Sequence, residues 1–294
     1  MTHIPPSPSL RRADAVVIGA YLLALAVAAL AGSFLPGRHP IVVAAAADLA
    51  ATAVIFGFSV ALDNSSMYDP YWSVAPLPIA VYYAAQAGSL GSGRMLAIMA
   101  VLLAWGVRLT WNWRRGWTGL GHEDWRYVDL REKTGRGYWL VSALGLHLFP
   151  TVQVFLGCVP LYYAASVDAP FGPGDLLGPL VAGAGLVIQG IADEQLRAFR
   201  REGRPGEMLA TGLWAYSRHP NYFGEILIWW GVFLTGIAAR PDVRWQIAGA
   251  AAITIMFLFA SIPMMDKRML ARRPAYAERM RRVSGLLPWW PRKQ

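Results

Sequence analysis

The chain has 294 residues, of which 55% are hydrophobic and 15% charged, and its formal net charge is +9. Soluble domains carry about 25% charged residues, so lipid is the expected solvent for much of this surface. A single cysteine, Cys158, lies inside an apolar run and excludes a disulfide framework or a Cys-based metal site. Lys and Arg sit between apolar runs and in the tail, which argues against nucleic acid as a partner.

The segment from Met1 to Arg12 is polar and Pro-rich, and an apolar run follows at once. The run "AALAGSF" imitates a signal-peptide cleavage site, but the apolar core is too long for one, so a retained first span is expected. A bilayer core takes about 20 mostly apolar residues per helix. By that rule spans fall near Ala13–Leu35, Ile41–Leu62, Trp72–Ala87, Met95–Trp113, Tyr138–Ala165, Asp175–Ala198, Tyr222–Ala238 and Trp245–Met264. The expected fold is an all-α integral membrane bundle of about eight (seven to eight) transmembrane helices. The third span is short and holds Pro76 and Pro78; the fifth is long enough to tilt or to bend at Pro150.

Charge placement gives the orientation. Segment 114–137 carries Arg114, Arg115, Arg126, Arg131, Lys133 and Arg136, and segment 199–221 carries Arg200, Arg201, Arg204 and Arg218. The tail from 265 onward is richly basic, ending in Arg292 and Lys293. The opposite loops hold only Arg38, Arg94, Arg240 and Arg244. The positive-inside rule then puts both termini in the cytoplasm, with an even number of spans. The 13 Trp and 12 Tyr suit membrane interfaces. Nothing in the composition divides the chain, so residues 1–294 are expected to form one transmembrane domain: N-terminal spans over 13–62, and a core over 63–294 with cytoplasmic loops. The compact single chain points to a bacterial inner membrane.

Asp48, Arg108, Asn112, Gln189, Asp193 and Glu225 lie in or at the ends of apolar runs. Charges there cost several kcal/mol unless they meet a partner or a cavity, which makes each a candidate site residue. All but the deeper Asp48 gather on the cytoplasmic halves of their helices, as a shared polar cavity would require. Segment 64–78 places Tyr68 and Asp69 just before Pro70, which can open a helix. An acid beside a phenol can supply a proton, or Asp69 can simply cap the helix.

Downstream, Arg114, Arg115 and Arg126 offer guanidinium forks to phosphates. His122, Glu123 and Asp124 are adjacent and point in different directions, so a solvated loop with capping groups is expected there and not a metal site. The densest signal is the run Trp214 to Glu225. Asn221 and Glu225 fall at i and i+4 on one face, and Arg218 and His219 adjoin the N-terminus opened by Pro220. Asp193, Arg197 and Arg200 recur at helical spacing on the preceding span, and Asp266, Arg268 and Tyr276 follow the last. These basic elements are expected to converge on an anionic ligand. No G-x-G-x-x-G, Walker, G-x-S-x-G or H-E-x-x-H motif occurs.

The run "YSRHPNYFGE", with "YDPYWS", "RLTWNW" and "GHEDWRY" in order before it, resembles the membrane steroid 5α-reductase family, and most closely its bacterial DUF1295 branch. The resemblance covers about Asn64 to Pro288, and the first span is extra relative to the animal enzymes. It implies NADPH bound among the helices and hydride transfer to a C=C bond conjugated to a carbonyl, in a lipophilic, steroid-like substrate. Asn221 and Glu225 then fall near the nicotinamide, and Asp193 and Arg200 hold the cofactor from the preceding helix.

Asp69 stands where the family has a catalytic Glu. The family's Tyr aligns with Trp105, so Tyr68 is the candidate substitute, and Tyr68 and Asp69 form the catalytic pair. The candidate cofactor set is Asn112, Arg114, Arg115, Asp193, Arg197, Arg200, Tyr216, Arg218, His219, Asn221, Tyr222, Glu225, Arg268 and Tyr276. "RHPNY" also resembles isoprenylcysteine and phospholipid methyltransferases, which use S-adenosylmethionine, and this is the alternative function. A transporter or non-catalytic lipid-binding protein is a third class, weakened by the lack of inverted repeats. The expected partners are the lipophilic substrate and membrane lipid; the sequence does not identify which protein partners the chain has.

Overall fold

A computed structural model describes residues 8–203 and 206–292; Arg204 and Lys293, counted above in the basic segments, lie outside them. Among the described residues seven helical runs are long and apolar enough to cross a bilayer: Leu10–Ser33, Pro40–Ala61, Gly93–Gly116, Trp125–Ala165, Pro173–Glu202, Pro220–Ala239 and Arg244–Arg272. No strand occurs among the described residues. The chain is an all-α, multi-pass membrane protein. Its outward face is apolar, with Leu22, Leu180 and Phe259 exposed, as lipid contact demands.

The third expected span differs. Tyr71–Val74 forms a single helical turn and Pro76–Gln86 an 11-residue helix, because Pro76 has no N–H to continue the ladder. We label the main helices α1 (Pro8–Ser33), α2 (Pro40–Ala61), α3 (Pro76–Gln86), α4 (Gly93–Gly116), α5 (Trp125–Thr134), α6 (Phe149–Ala165), α7 (Leu177–Glu202), α8 (Pro220–Ala239), α9 (Ile247–Met256), α10 (Ile262–Arg272) and α11 (Tyr276–Arg282). The chain parts into two compact units. Among the described residues, one comprises 8–88 and 105–155, and the other 89–104, 156–203 and 206–292.

In the first unit α1 lies along α2. Ala13, Val17, Ala20 and Ala24 recur at three- and four-residue spacing and are buried, giving α1 a smooth inner stripe. His39 caps α2 by accepting from the Ile41 N–H at 3.3 Å, and Pro40 starts the helix without wasting a donor. Gly106 of α4 lets the backbone of the Tyr71–Val74 turn approach: a Cβ there would stand 2.5 Å from the Ser73 carbonyl oxygen. Between α5 and α6 the chain makes a π-helical stretch, Ser142–Leu148, and Pro150 stands in the first turn of α6.

In the second unit α7 and α8 meet backbone to backbone. A Cβ on Gly185 would lie 2.5 Å from the Gly224 carbonyl oxygen, and one on Gly224 would lie 2.6 Å from that of Gly185. Small residues at such spacing let membrane helices gain contact that lipid alone cannot supply. Arg94, expected in a loop, is buried and pairs with Asp175 at 2.5 Å. The tail folds back: the Arg218 N–H donates to the Ser284 carbonyl at 2.9 Å and the Trp289 N–H to that of Tyr216 at 3.0 Å.

Candidate functional site

In the first unit the chemistry gathers where α2 ends. Asn64 caps the short turn Ser65–Tyr68 by accepting from the Ser66 N–H at 2.9 Å, and its amide donates to the carbonyls of Leu120 (2.7 Å) and His122 (2.9 Å). The loop before α5 is therefore docked. Glu123 accepts from the Ser65 N–H at 2.8 Å, and the Asp124 N–H donates to Ser66 Oγ at 2.8 Å. This corrects the expected solvated trio, although Asp124 does cap α5 by accepting from the Arg126 N–H at 2.9 Å.

Docking brings Tyr127 onto Asp69, and its hydroxyl donates a short hydrogen bond to Oδ1. Arg126 stands 3.7 Å from the same oxygen. Burial pushes the Asp69 carboxyl up to about 6, with the Arg126 charge and the Tyr127 bond opposing it. Asp69 is not the helix cap: the following turn is entered from Pro70 with no side-chain cap.

Tyr68 points elsewhere. It is 1% exposed, stacks on Tyr71, and its hydroxyl lies 2.7 Å from Thr151 Oγ1, which is 2.8 Å from Thr52. A buried polar chain runs beside it. Tyr138 OH is 3.3 Å from Glu123 and 2.7 Å from Ser65 Oγ; Ser65 is 3.0 Å from Ser142 Oγ, and His147 bridges the Ser142 carbonyl (3.0 Å) to Ser59 (3.1 Å). Of the phosphate candidates here, Arg114 pairs with Asp14 at 2.6 Å and Arg115 lies 3.4 Å from Asn112 Oδ1. Trp105 is fully buried.

The second unit carries the "SRHPNY" run. Arg218, His219 and Tyr276 come together, and they come together on Asp266. Its Oδ2 takes Arg218 at 2.7 Å; its Oδ1 takes His219 Nε2 at 3.0 Å and Tyr276 OH at 2.7 Å. Arg218 also donates to the carbonyls of Met280 (3.1 Å) and Val283 (2.9 Å). Burial and the adjoining Asp266 carboxylate push the Tyr276 phenol up. Tyr222 stacks flat on His219, with ring centroids 5.2 Å apart. Glu225 is buried and accepts from Gln189 Nε2 at 2.6 Å and Trp229 Nε1 at 3.1 Å.

One turn before Glu225, Asn221 differs: its Oδ1 is buried with no hydrogen-bond partner. On α7, Asp193 is half-buried, Arg197 pairs with Glu194 at 3.7 Å, and Arg200 is exposed. Tyr216 meets Trp290 edge to face, and Arg268 is half-buried on α10.

Sequence reasoning missed three roles: Tyr127 as the partner of Asp69, Asp266 as the centre of the Arg218 cluster, and Asp14 as the partner of Arg114. "GHEDWRY" contained the signal for the first, since a docked loop needs the caps and donors that this run and Asn64 supply. Comparison with known families decides the relationship. Residues 55–283 match the model of the protein of unknown function DUF1295. The chain belongs to the DUF1295 family. This DUF1295 protein is also similar to the uncharacterized protein C594.04c of Schizosaccharomyces pombe, at 28% identity over 261 residues, covering 80% of this chain and 76% of that one. No solved structure matches. The family match takes in Asp69, Tyr127, Asn221 and Asp266, and leaves α1 and most of α2 outside it.

Proposed function

We propose that this DUF1295 protein is an NADPH-dependent membrane reductase that saturates a C=C bond conjugated to a carbonyl in a lipophilic, steroid-like substrate, in a bacterial inner membrane with its basic loops toward the cytoplasm. The observation that carries the reading is the Asp69–Tyr127 pair. An acid held near 6 by burial keeps a protonated fraction at neutral pH, which suits polarisation of a carbonyl oxygen. Asp69 gives its proton toward that oxygen, while the Tyr127 hydroxyl holds the carboxyl in place and Arg126 balances the charge left behind. Tyr127 takes the phenol role first sought in Tyr68, whose hydroxyl is turned to Thr151.

NADPH, when bound, supplies the hydride, and one proton from the medium completes the saturation. The donor set in the second unit fits such a group. Asn221 keeps a buried carbonyl without a donor, matched by a carboxamide N–H, and Arg200 on α7 offers an exposed cation to phosphate. Arg218, His219 and Tyr276 serve by fixing the chain around Asn221 through Asp266, and Glu225 by tying α8 to α7.

The test is thermal unfolding of the detergent-purified protein with NADPH or S-adenosylmethionine, since a ligand that binds the folded state alone raises the midpoint. A rise with NADPH that is lost in Asn221→Ala, with enone-dependent NADPH oxidation lost in Asp69→Asn, supports the reductase. A rise with S-adenosylmethionine alone replaces it with a methyltransferase acting on a lipid or prenylated thiol.

A further inference from the structure

A cavity of about 580 Å³ lies inside the first unit between α1, α2, the Tyr71–Val74 turn and α3. Chain direction gives it two ends. Tyr21 on α1, Ala51 on α2 and Tyr71 lie at one end; Arg38 of the α1–α2 connection and Gln86 at the close of α3 lie at the other. From Tyr21 to Ser33 α1 rises about 18 Å, which sets the cavity's length. The walls are small and apolar, with Ala24 and Ala28 on α1 facing Ala47 and Ala51 on α2. A volume of this size falls in the class that takes a drug-sized molecule.

A single carboxylate breaks the apolar wall. Asp48 is 6% exposed and lines the cavity. Its Oδ1 accepts from the Tyr71 hydroxyl at 2.7 Å, but its Oδ2 is buried with no hydrogen-bond partner. Native proteins rarely leave such an oxygen unpaired, and within a membrane span no bulk water reaches it. Of the other hydroxyls that line the cavity, Tyr21 donates to the Met67 carbonyl at 3.0 Å and Ser33 to that of Leu30 at 2.7 Å. The missing donor therefore comes from whatever fills the cavity.

We propose that this cavity binds an elongated lipophilic alcohol, hydroxyl inward on Asp48 Oδ2 and apolar body along the alanine walls toward Arg38. Neither Asp69 nor Tyr127 lines the cavity, and the proposal rests on none of the reductase reading. The cavity walls on α1 and α2, residues 21–51, precede the stretch matched by the family, whereas those from Tyr71 to Gln86 fall within it.

The experiment is equilibrium binding of radiolabelled 1-hexadecanol to the full chain in detergent, competed with unlabelled 1-hexadecanol or hexadecane. Saturable binding is expected, with the alcohol competing at least tenfold better than the alkane. Asp48→Leu should bring the alcohol down to the alkane's level, and Ala28→Phe should abolish binding by filling the cavity. Equal competition by the alkane overturns the proposal, as does undiminished binding in a monodisperse Ala28→Phe protein. Ala47→Phe fills the same space from α2 and replaces Ala28→Phe if that variant does not purify.

Discussion

The two units each hold a carboxylate that faces a tyrosine, and they treat it oppositely. Asp266 receives a guanidinium at 2.7 Å, an imidazole at 3.0 Å and a phenol at 2.7 Å. Asp69 receives the Tyr127 phenol and the Ser66 hydroxyl, both neutral, and its nearest guanidinium stands off at 3.7 Å. The first group is surrounded by enough donors to hold its charge permanently. The second is held with too few donors to favour the anion, so burial wins and the carboxyl rises to about 6. Residue type alone does not decide whether a buried carboxyl is held as an anion; the number, charge and distance of its donors does.

The comparison breaks first at Asp266. Removing one member of a buried, hydrogen-bonded charge cluster leaves Arg218 uncompensated, which costs about 3–5 kcal/mol. Asp266→Ala should therefore lower the unfolding midpoint more than any other single change discussed, measured by heating the detergent-solubilised protein. A midpoint close to that of the parent would show that the cluster is not structural.

Asp69→Asn should do the reverse. On the proposed reductase reading, turnover should fall about 10²–10⁴-fold, as for loss of a general acid, with the fold intact. Tyr127→Phe should retain part of that turnover and shift its pH profile, whereas Tyr68→Phe should leave the profile in place.

The pH dependence sharpens the contrast further. The folded-state Asp69 binds its proton more tightly than the unfolded chain does, so its contribution to stability is complete below the ordinary carboxylate range. That contribution is lost as pH rises through about 6. Melts taken between pH 4 and about 8 should show this slope, and Asp69→Asn should flatten it. The smallest effect is expected at Glu225→Gln, where the amide can keep one of the bonds to Trp229 and Gln189; a loss of about 1 kcal/mol or less is anticipated by the same unfolding measurement.

The spans were legible because lipid leaves little choice: an apolar run of bilayer length must be a helix. The third failed the length rule for a local reason, since Pro76 divides Tyr71–Gln86 into a turn and a short helix. The site was legible in pieces. Asp69, Arg218, His219 and Asn221 stand out as polar groups beside apolar runs. Their partners do not, because Tyr127 is 58 residues from Asp69 and Asp266 is 48 from Arg218. The first pairing depends on a loop docked by Asn64, and no periodicity encodes that. Arg114 looked like a phosphate ligand for the same reason: Asp14, 100 residues earlier, is invisible to local pattern.

The π-helical stretch Ser142–Leu148 sets the phase of everything before it. In a regular α-helix residues five apart point about 140° away from each other. Here the Ser142 and His147 side chains meet, with Ser142 Oγ 3.4 Å from His147 Nδ1. The helix thus holds one residue more than a regular turn, as a shim holds two shafts at a fixed angle. Deleting a single residue within 142–148 would turn the preceding segment by about 100°. Tyr138 would leave Ser65, and the polar chain would be cut without the loss of any of its members.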